Sequence, residues 1–420
     1  MHLSECPACD SSGHTTLFEL RGSPVQRCEA CGLVFLNPQP PDVAPTTVTF
    51  SSTREDRDYI CPVSDVSLRP AASFDVCICT DVVDRVRQPV ALLNEVHRVL
   101  RPGGVLQLVT STVEATSARS LRRALSGAPA ERLHHFSRAT LLNVLARAGF
   151  RDVELTADGA GRVTAIGRAH LKRPQAVVSV IVPAYNEGKT IRAVLDCLIA
   201  KRVDGLDKEI IVVESNSTDG TREAVMAYQG VPGVQLILAD RPRGKGHAVR
   251  QGLASATGDF VLIQDADDEY DINDYDALLE PLRLFRRAFV LGTRHKGHWR
   301  IRNFGASGSV AAYMMNLGHI FLTEFFNLLY GQSLSDPWTM YKVFRRDCVH
   351  RLRLECNRFD FDVELVAKLV RRGFSPLEIP VHYHSRSFSE GKKIRVLRDP
   401  ITWIWACLKY RFARLDNTPS

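Results

Sequence analysis

Two carboxylates and four thiols are the residues of this chain whose spacing most directly prescribes chemistry. Asp265 and Asp267 stand at i and i+2 just after the apolar run Phe260-Val261-Leu262-Ile263. Side chains so placed at the end of a strand can both approach one hard cation, Mn2+ or Mg2+, and leave part of its shell to the oxygens of a ligand. Near the other end of the chain, Cys6-Pro7-Ala8-Cys9 and Cys28-Glu29-Ala30-Cys31 are separated by eighteen residues. Two such knuckles supply four thiolates to one tetrahedral ion, and zinc accepts four soft sulfur ligands without a geometric penalty. A closed four-thiolate shell has no open position, so Zn2+ here is expected to be structural. A pair of redox dithiols would need a thioredoxin-like βαβ pattern, and neither knuckle has one around it.

Asp265 and Asp267 need elements to hold them. Val177 to Pro183 is a continuous apolar run, as expected of a parallel strand buried on both faces. Thr190 to Ile199 reads as an amphipathic helix, Glu209 to Val213 as a strand, Ala248 to Ala256 as a helix and Phe260 to Ile263 as a strand. Alternation of this kind implies a parallel sheet with right-handed crossovers, whose ligands sit at the carboxyl ends of the strands. Most of the polar signatures fall there. They are Pro183-Ala184-Tyr185-Asn186-Glu187, the segment Glu214 to Thr221, Arg243-Gly244-Lys245-Gly246-His247, and Gln264 to Tyr270.

These four motifs, in this order, resemble glycosyltransferase family 2, over a stretch running to about Lys393. Asp267-Asp268-Glu269-Tyr270-Asp271, Asp274-Tyr275 and Leu291-Gly292-Thr293-Arg294 are similar to polyprenyl-phosphate sugar synthases of the dolichyl-phosphate mannosyltransferase kind. The resemblance implies a GT-A type α/β domain with a parallel-core mixed sheet. It implies inverting transfer of a hexose from a nucleotide-sugar donor, GDP-mannose or UDP-glucose. By the same resemblance Pro183, Tyr185, Glu187 and Ala266 line the nucleotide-sugar pocket beside Asp265 and Asp267. Glu214 stands where the family usually has an Asp against the base, and Ser215 replaces a second common Asp. Gly244-Lys245-Gly246 would give a flexible backbone near phosphate, with Lys245 as counter-charge. Arg294, Arg302, Arg386 and Lys392 would hold a lipid phosphate acceptor, since guanidinium groups match phosphate oxygens with forked geometry. Ser307 falls one position late for the family's acceptor-side serine.

A polyprenyl phosphate acceptor is already ionised near neutral pH and needs no strong base. A sugar hydroxyl would need one, and Asp362 or Asp360 is the candidate. Ala311 to Tyr330, with Phe321, Phe325 and Phe326, corresponds to a region near the membrane interface in the resembling enzymes. Core helices are the equal alternative.

Between the knuckles and this domain, Phe74 to Val109 and His134 to Leu155 resemble the later half of a class I S-adenosylmethionine methyltransferase. Such enzymes bind their cofactor with a glycine-rich turn after the first strand. Between Cys31 and Phe74 this chain has only Gly32. The interval is also short for two strands, a helix and linkers. The expectation is a degenerate supporting domain that does not bind S-adenosylmethionine. The domain plan is thus a zinc ribbon at 1–40, a partial Rossmann-like domain at 59–170 and the glycosyltransferase at 176–412.

Bulk properties restrict the alternatives. The formal charge of +7 over 420 residues is modest, and no long basic block marks a nucleic-acid tail. The remaining seven of eleven cysteines are scattered and odd in number, against a disulfide framework and for a reducing cytosol. The start of the chain lacks a basic region followed by an apolar core, so no secretory signal is expected. Asn316, His319, Glu324 and Asn327 interrupt the most apolar stretch, Ser309 to Tyr330, which argues against a spanning helix. A cytoplasmic protein, peripheral on the cytoplasmic face of the membrane, is the expectation. The competing readings are a methyltransferase with an appended transferase, and a non-catalytic scaffold in polysaccharide assembly.

Overall fold

The computed structural model describes residues 2–40, 46–52, 57–114, 118–127, 129, 131–158, 161–171, 173–295, 309–385, 399–413 and 415. The chain divides into two compact units, Met1–Arg173 with Leu284–Arg287, and Pro174–Arg283 with Ala288–Ser420.

In the first unit the cysteine knuckles flank short antiparallel strands. These are β1 (His14–Leu20), β2 (Ser23–Cys28) and β3 (Val34–Leu36). A second sheet is built from β4 (Thr47–Ser52), β5 (Arg57–Pro62), β6 (Phe74–Thr80) and β7 (Leu100–Ser111). β8 (His134–His135) returns to pair with β3, whereas β9 (Phe150–Ala157) and β10 (Arg162–Ala169) complete the second sheet. Its order is β5-β4-β6-β7-β10-β9, and only β6 and β7 run parallel.

Their crossover is α1 (Pro89–Val99), which buries Val90, Leu93 and Val96 on one face. After α2 (Ala118–Leu125), α3 (Arg138–Ala148) starts at a capping box. Ser137 accepts from the Thr140 amide, and Thr140 Oγ1 accepts from the Ser137 amide, so two otherwise orphaned donors are satisfied. Gly149, at φ 100°, ends the helix in the left-handed conformation. The ribbon and this sheet share one hydrophobic core, in which Cys6, Leu33 and Phe35 pack in one cluster with Phe50, Phe74 and Leu93.

The second unit begins with β11 (Ala176–Ala184), whose residues Val178 to Val182 are buried without alternation. It is flanked in parallel by β12 (Leu206–Glu214), with β13 (Val234–Leu238) outside that, and by β14 (Phe260–Ile263). Then β15 (Phe289–Thr293), β16 (Lys342–Arg345) and β17 (Leu377–Pro380) complete a seven-stranded sheet. The order is β13-β12-β11-β14-β16-β15-β17, with β16 antiparallel to both neighbours. This is the α/β, parallel-core mixed sheet expected of the GT-A type.

Four helices lie between the strands of the first part, α4 (Ile191–Ala200), α5 (Thr221–Met226), α6 (Lys245–Ser255) and α7 (Tyr275–Arg283). α6 lies close on the sheet because Gly252 permits it. A Cβ there would sit 2.4 Å from Ile181 Cγ2. The long α8 (Ser309–Tyr330) precedes β16, and α9 (Asp360–Arg371) and α10 (Asp399–Phe412) follow it. Among the described residues no helix is long and apolar enough to cross a membrane. Met314, Leu317, Phe321 and Leu328 on α8 are nevertheless exposed, as are Ile401, Trp405 and Phe412 on α10.

Candidate active site

The parallel strands deliver their carboxyl-terminal loops to one wall of a cavity of about 910 Å³. Pro183, Tyr185 and Glu187 come from the end of β11, and Asp265, Ala266 and Asp267 from the end of β14. All six line the cavity. The loops are tied together by hydrogen bonds. The amides of Asn186 and Glu187 donate to Ser217 Oγ and Thr221 Oγ1 at 2.9 and 2.8 Å. Thr190 Oγ1 donates to the Ala266 carbonyl at 2.9 Å, which pins the backbone between the two aspartates.

Asp265 Oδ1 is paired with Lys245 Nζ, which also lies 3.4 Å from Met340 Sδ. Burial pulls the Lys245 pKa down, but the charges of Asp265, Asp362 and Asp267 outweigh it and hold the amine above its ordinary value. Asp267 Oδ1 accepts the Glu269 amide at 3.2 Å, and Glu269, also in the wall, accepts from the Tyr383 hydroxyl. Asp265 and Asp267 are hard oxygen donors facing one cavity, which suits Mn2+ or Mg2+. Among the described residues they join no cluster of three ligands, so a bound diphosphate would have to supply part of the shell.

Lys245 reaches the cavity because of the glycines beside it, for a reason the sequence reading misjudged. Gly244 sits at φ +102°, and a Cβ there would meet the Asn357 carbonyl at 2.4 Å. One on Gly246 would meet the Cys356 carbonyl at 2.5 Å. The segment is a tightly packed first helical turn, not a flexible loop.

Glu214 is the nominated residue that the structure does not bring to the cavity. Its side chain is buried, at 0% exposure, and Ser215 lines the wall in its place. Its oxygens accept from the Asn216 and Ser217 amides and from Arg222 Nε at 2.5 Å. Burial acts to raise its pKa, yet the bonds to Ser217 and Arg222 hold it below the usual carboxylate value. The longer side chain has turned back into its own loop, so the geometry gives it a loop-ordering role, not contact with a base.

Arg294 lines the cavity, but its fork is engaged. Nε and Nη2 form a bidentate pair with Asp336 at 2.7 and 2.8 Å. His319 Nε2 stands 3.6 Å from the same carboxylate and 3.2 Å from His295 Nε2. Asp362 is also in the wall, with Lys342 Nζ 3.1 Å from its Oδ1. Arg302, Arg386 and Lys392, together with Ser307, lie outside the described residues.

The sequence reading missed Met314, Leu322, Trp403 and Ile404, which line the cavity together with Phe321 and Trp338. Arg243, Arg358 and His319 were also missed as lining residues. Apolar residues on α8 carried no mark separating a cavity wall from a core. His319 read only as an interruption of an apolar stretch.

The four cysteines converge in the first unit. Among the described residues they are the one group of potential metal ligands whose donor atoms all lie within 4.8 Å of one another. Cys6 and Cys31 Sγ are 3.6 Å apart, as are Cys9 and Cys28. A tetrahedron with metal–sulfur bonds of about 2.3 Å has edges of about 3.8 Å, so the cluster fits a single ion. Hydrogen bonding from Cys31 and the other thiols holds Cys28 far below its ordinary pKa. The same contacts, with burial, push Cys31 up.

Comparison with known proteins follows this division. Residues 179–353 match the family described as Glycosyl transferase family 2, and residues 17–155 match a methyltransferase domain. The low-salt glycan biosynthesis hexosyltransferase Agl6 of Haloferax volcanii is 26% identical over 209 residues, 50% of this chain and 48% of that protein. The dolichyl-phosphate beta-glucosyltransferase of Homo sapiens is 29% identical over 207 residues, 46% of this chain and 63% of that one. The matched stretch thus spans about half to two thirds of these relatives. The crystal structure of glucosyl-3-phosphoglycerate synthase from Mycobacterium tuberculosis with Mn2+, uridine diphosphate and phosphoglyceric acid is 22% identical. It gives a TM-score of 0.40, covering 57% of this chain and 80% of that one. The second unit thus contains a segment that matches glycosyl transferase family 2, and the first unit, most of which matches a methyltransferase domain, holds the four-cysteine cluster.

Proposed function

We propose that this chain is an inverting hexosyltransferase that moves a hexose from a nucleoside diphosphate sugar to a polyprenyl phosphate. The observation that carries the reading is the mixed chemistry of one cavity lining. Asp265, Asp267 and Lys245 line it together with Phe321, Leu322, Trp338 and Trp403. A donor diphosphate suits the first set and an isoprenoid chain the second. The likeness to a dolichyl-phosphate beta-glucosyltransferase supports the same acceptor class and favours glucose over mannose as the hexose moved.

In this reading an acceptor phosphate oxygen bonds to the anomeric carbon on the face opposite the diphosphate. The anomeric carbon–oxygen bond to the diphosphate breaks, and its electron pair leaves with the nucleoside diphosphate. Mn2+ or Mg2+ held by Asp265 and Asp267 would offset the charge of that leaving group. Lys245 binds diphosphate oxygens from the first turn of α6. Tyr185, Glu187 and Pro183 orient the nucleotide, and Arg294, fixed by Asp336, orients the acceptor phosphate together with Arg302, Arg386 and Lys392. A phosphate with a second pKa of about 6 is ionised at neutral pH, so Asp362 need not act as a base.

The exposed apolar residues of α8 and α10 would rest on a membrane surface, with the cavity mouth open to lipid. Amphipathic surfaces of this kind bind in the interface plane without spanning it. The first unit is assigned a supporting role with a structural zinc ion. S-adenosylmethionine is not its ligand in this reading, because the β4–β5 hairpin replaces the parallel strands whose turns would hold it.

The test is a donor screen. UDP-glucose and GDP-mannose are offered to the full chain with Mn2+ and polyprenyl phosphate in vesicles. A lipid-linked hexose is the expected product. Transfer only to water-soluble sugars would overturn the acceptor assignment.

A further inference from the structure

Lys342 is an unusual residue to find buried at the start of a strand. It opens β16, between Tyr341 and Val343, all three at 0% exposure. Its Nζ donates to the Thr339 carbonyl and lies 3.1 Å from Asp362 Oδ1. Lys342 does not line the cavity, whereas Asp362 does, with 10% of its side chain exposed. Burying an ammonium is costly, and an apolar residue of similar volume is often at least as stable in such a place. A methionine would fill the same space, so packing alone does not account for the charge.

The cavity must admit two anions in the proposed reaction, a diphosphate and a phosphate. The charge of Asp265 is met by Lys245, and that of Arg294 is taken up by Asp336. Lys245 also faces Asp362 but is already ion-paired with Asp265, so without Lys342 the Asp362 carboxylate would stand undercompensated against the incoming phosphate, and like charges opposed in a desolvated site strongly suppress binding. We propose that Lys342 is a positioning residue that neutralises Asp362 from behind the cavity wall, so that the wall admits a phosphate-bearing lipid. This rests on the polyprenyl-phosphate reading and deepens it, since it names what lets the acceptor site tolerate an acid.

Trp338 and Trp403 line the cavity, so intrinsic fluorescence of the full chain reports its occupancy. The probes are farnesyl phosphate and uncharged farnesol. Lys342→Met should weaken farnesyl phosphate about tenfold or more and leave farnesol unchanged. Combining it with Asp362→Asn should restore the phosphate ligand. Asp362→Asn alone, which leaves the lysine charge in place, should tighten it. Unchanged farnesyl phosphate affinity in Lys342→Met would overturn the proposal. So would equal loss of both ligands, or a double variant no better than the single one. If Lys342→Met does not fold, weaker phosphate binding by Asp362→Asn is the overturning result. A wild-type chain that binds neither probe, or both equally, instead overturns the acceptor reading itself.

Discussion

Both units contain a sheet with a parallel strand pair, and in the second the strand-end motifs line a cavity. In the second unit three successive parallel pairings, β13 to β12, β12 to β11 and β11 to β14, bring their carboxyl ends to one edge. The loops after β11 and β14 then meet across a short distance, and charged side chains from both share one cavity. In the first unit parallel pairing stops at β6 and β7. Beyond β6 the sheet continues into the antiparallel hairpin β4–β5. A parallel crossover needs a dozen or more residues, whereas β4 and β5 are joined by four. A hairpin fills the edge of the sheet and completes the core, but adds no further parallel neighbour to β6. A shared topology thus carries a site where several successive parallel strands bring their ends together.

The largest expected divergence between the units follows removal of the ion that should hold the first. Purified protein should carry one zinc equivalent, and Cys28→Ser should abolish it. Structural zinc is worth about 10–16 kcal/mol in isolated finger peptides. A core that surrounds the cluster will soften the loss here, but the first unit should still unfold. All four tryptophans, Trp299, Trp338, Trp403 and Trp405, lie in the second unit. Far-UV circular dichroism should therefore fall while tryptophan fluorescence stays native. A full-length chain with no zinc after chelator-free purification would remove the assignment.

The next effect belongs to the second unit alone. Asp265→Ala or Asp267→Ala should lower transfer by about 10²–10³ or more, through loss of charge stabilisation at the leaving diphosphate. Asp265→Ala should also lower the melting temperature, because it leaves Lys245 without its ion-pair partner, whereas chelator should bring the wild type to the same rate without that change. An active Asp267→Ala enzyme would show that the metal mechanism is wrong.

Acid should separate the units in the same order. Burial lowers His134 and His135 in the first unit to about 4 from 6.5. The unfolded chain then binds the extra protons first, so stability is intact above pH 6.5 and declines as pH falls toward 4. A tenfold difference in proton affinity between the folded and unfolded chain corresponds to about 1.4 kcal/mol, so the loss should reach a few kcal/mol. Protonation of zinc-bound thiolates acts in the same direction. In the second unit burial acts to raise Asp336, but Arg294 outweighs it and holds it well below its ordinary 3.8. That contribution is present above pH 3.8 and is lost only in stronger acid. Titration from pH 7 to 4 should therefore reduce the dichroism signal before the fluorescence. Simultaneous loss would contradict the separation.

The smallest effect tests local structure. Ser137→Ala removes half of the capping box that starts α3 and should cost about 1 kcal/mol of first-unit stability. Chemical denaturation followed by dichroism would measure it, and transfer activity should be unaffected.

Local pattern was enough for much of this. The apolar run from Val177 to Val182, interrupted by Ser179 alone, prescribes a strand buried on both faces, and Asp265 and Asp267 follow another, so both carboxylates must emerge at a strand end. The spacing of Cys6, Cys9, Cys28 and Cys31 likewise announces a four-sulfur cluster, because each knuckle is a short-range turn. Ser137 and Gly149 mark both ends of α3 by their own backbone requirements. The hairpin β4–β5 was not legible, since short alternating strands acquire their partners only from the sheet they join.

Tertiary structure alone decided what the charged residues face. Glu214 and Asp265 look alike in sequence, each an acid at a strand end. Arg222 and two amides turn the first inward, while the second meets Lys245 at the cavity wall. Arg294 and Asp336 are separated by forty-one residues, and Lys342 and Asp362 by nineteen. No local rule pairs them. Their partnership exists because β15, β16 and the start of α9 converge on one cavity, where desolvation makes each unpaired charge costly.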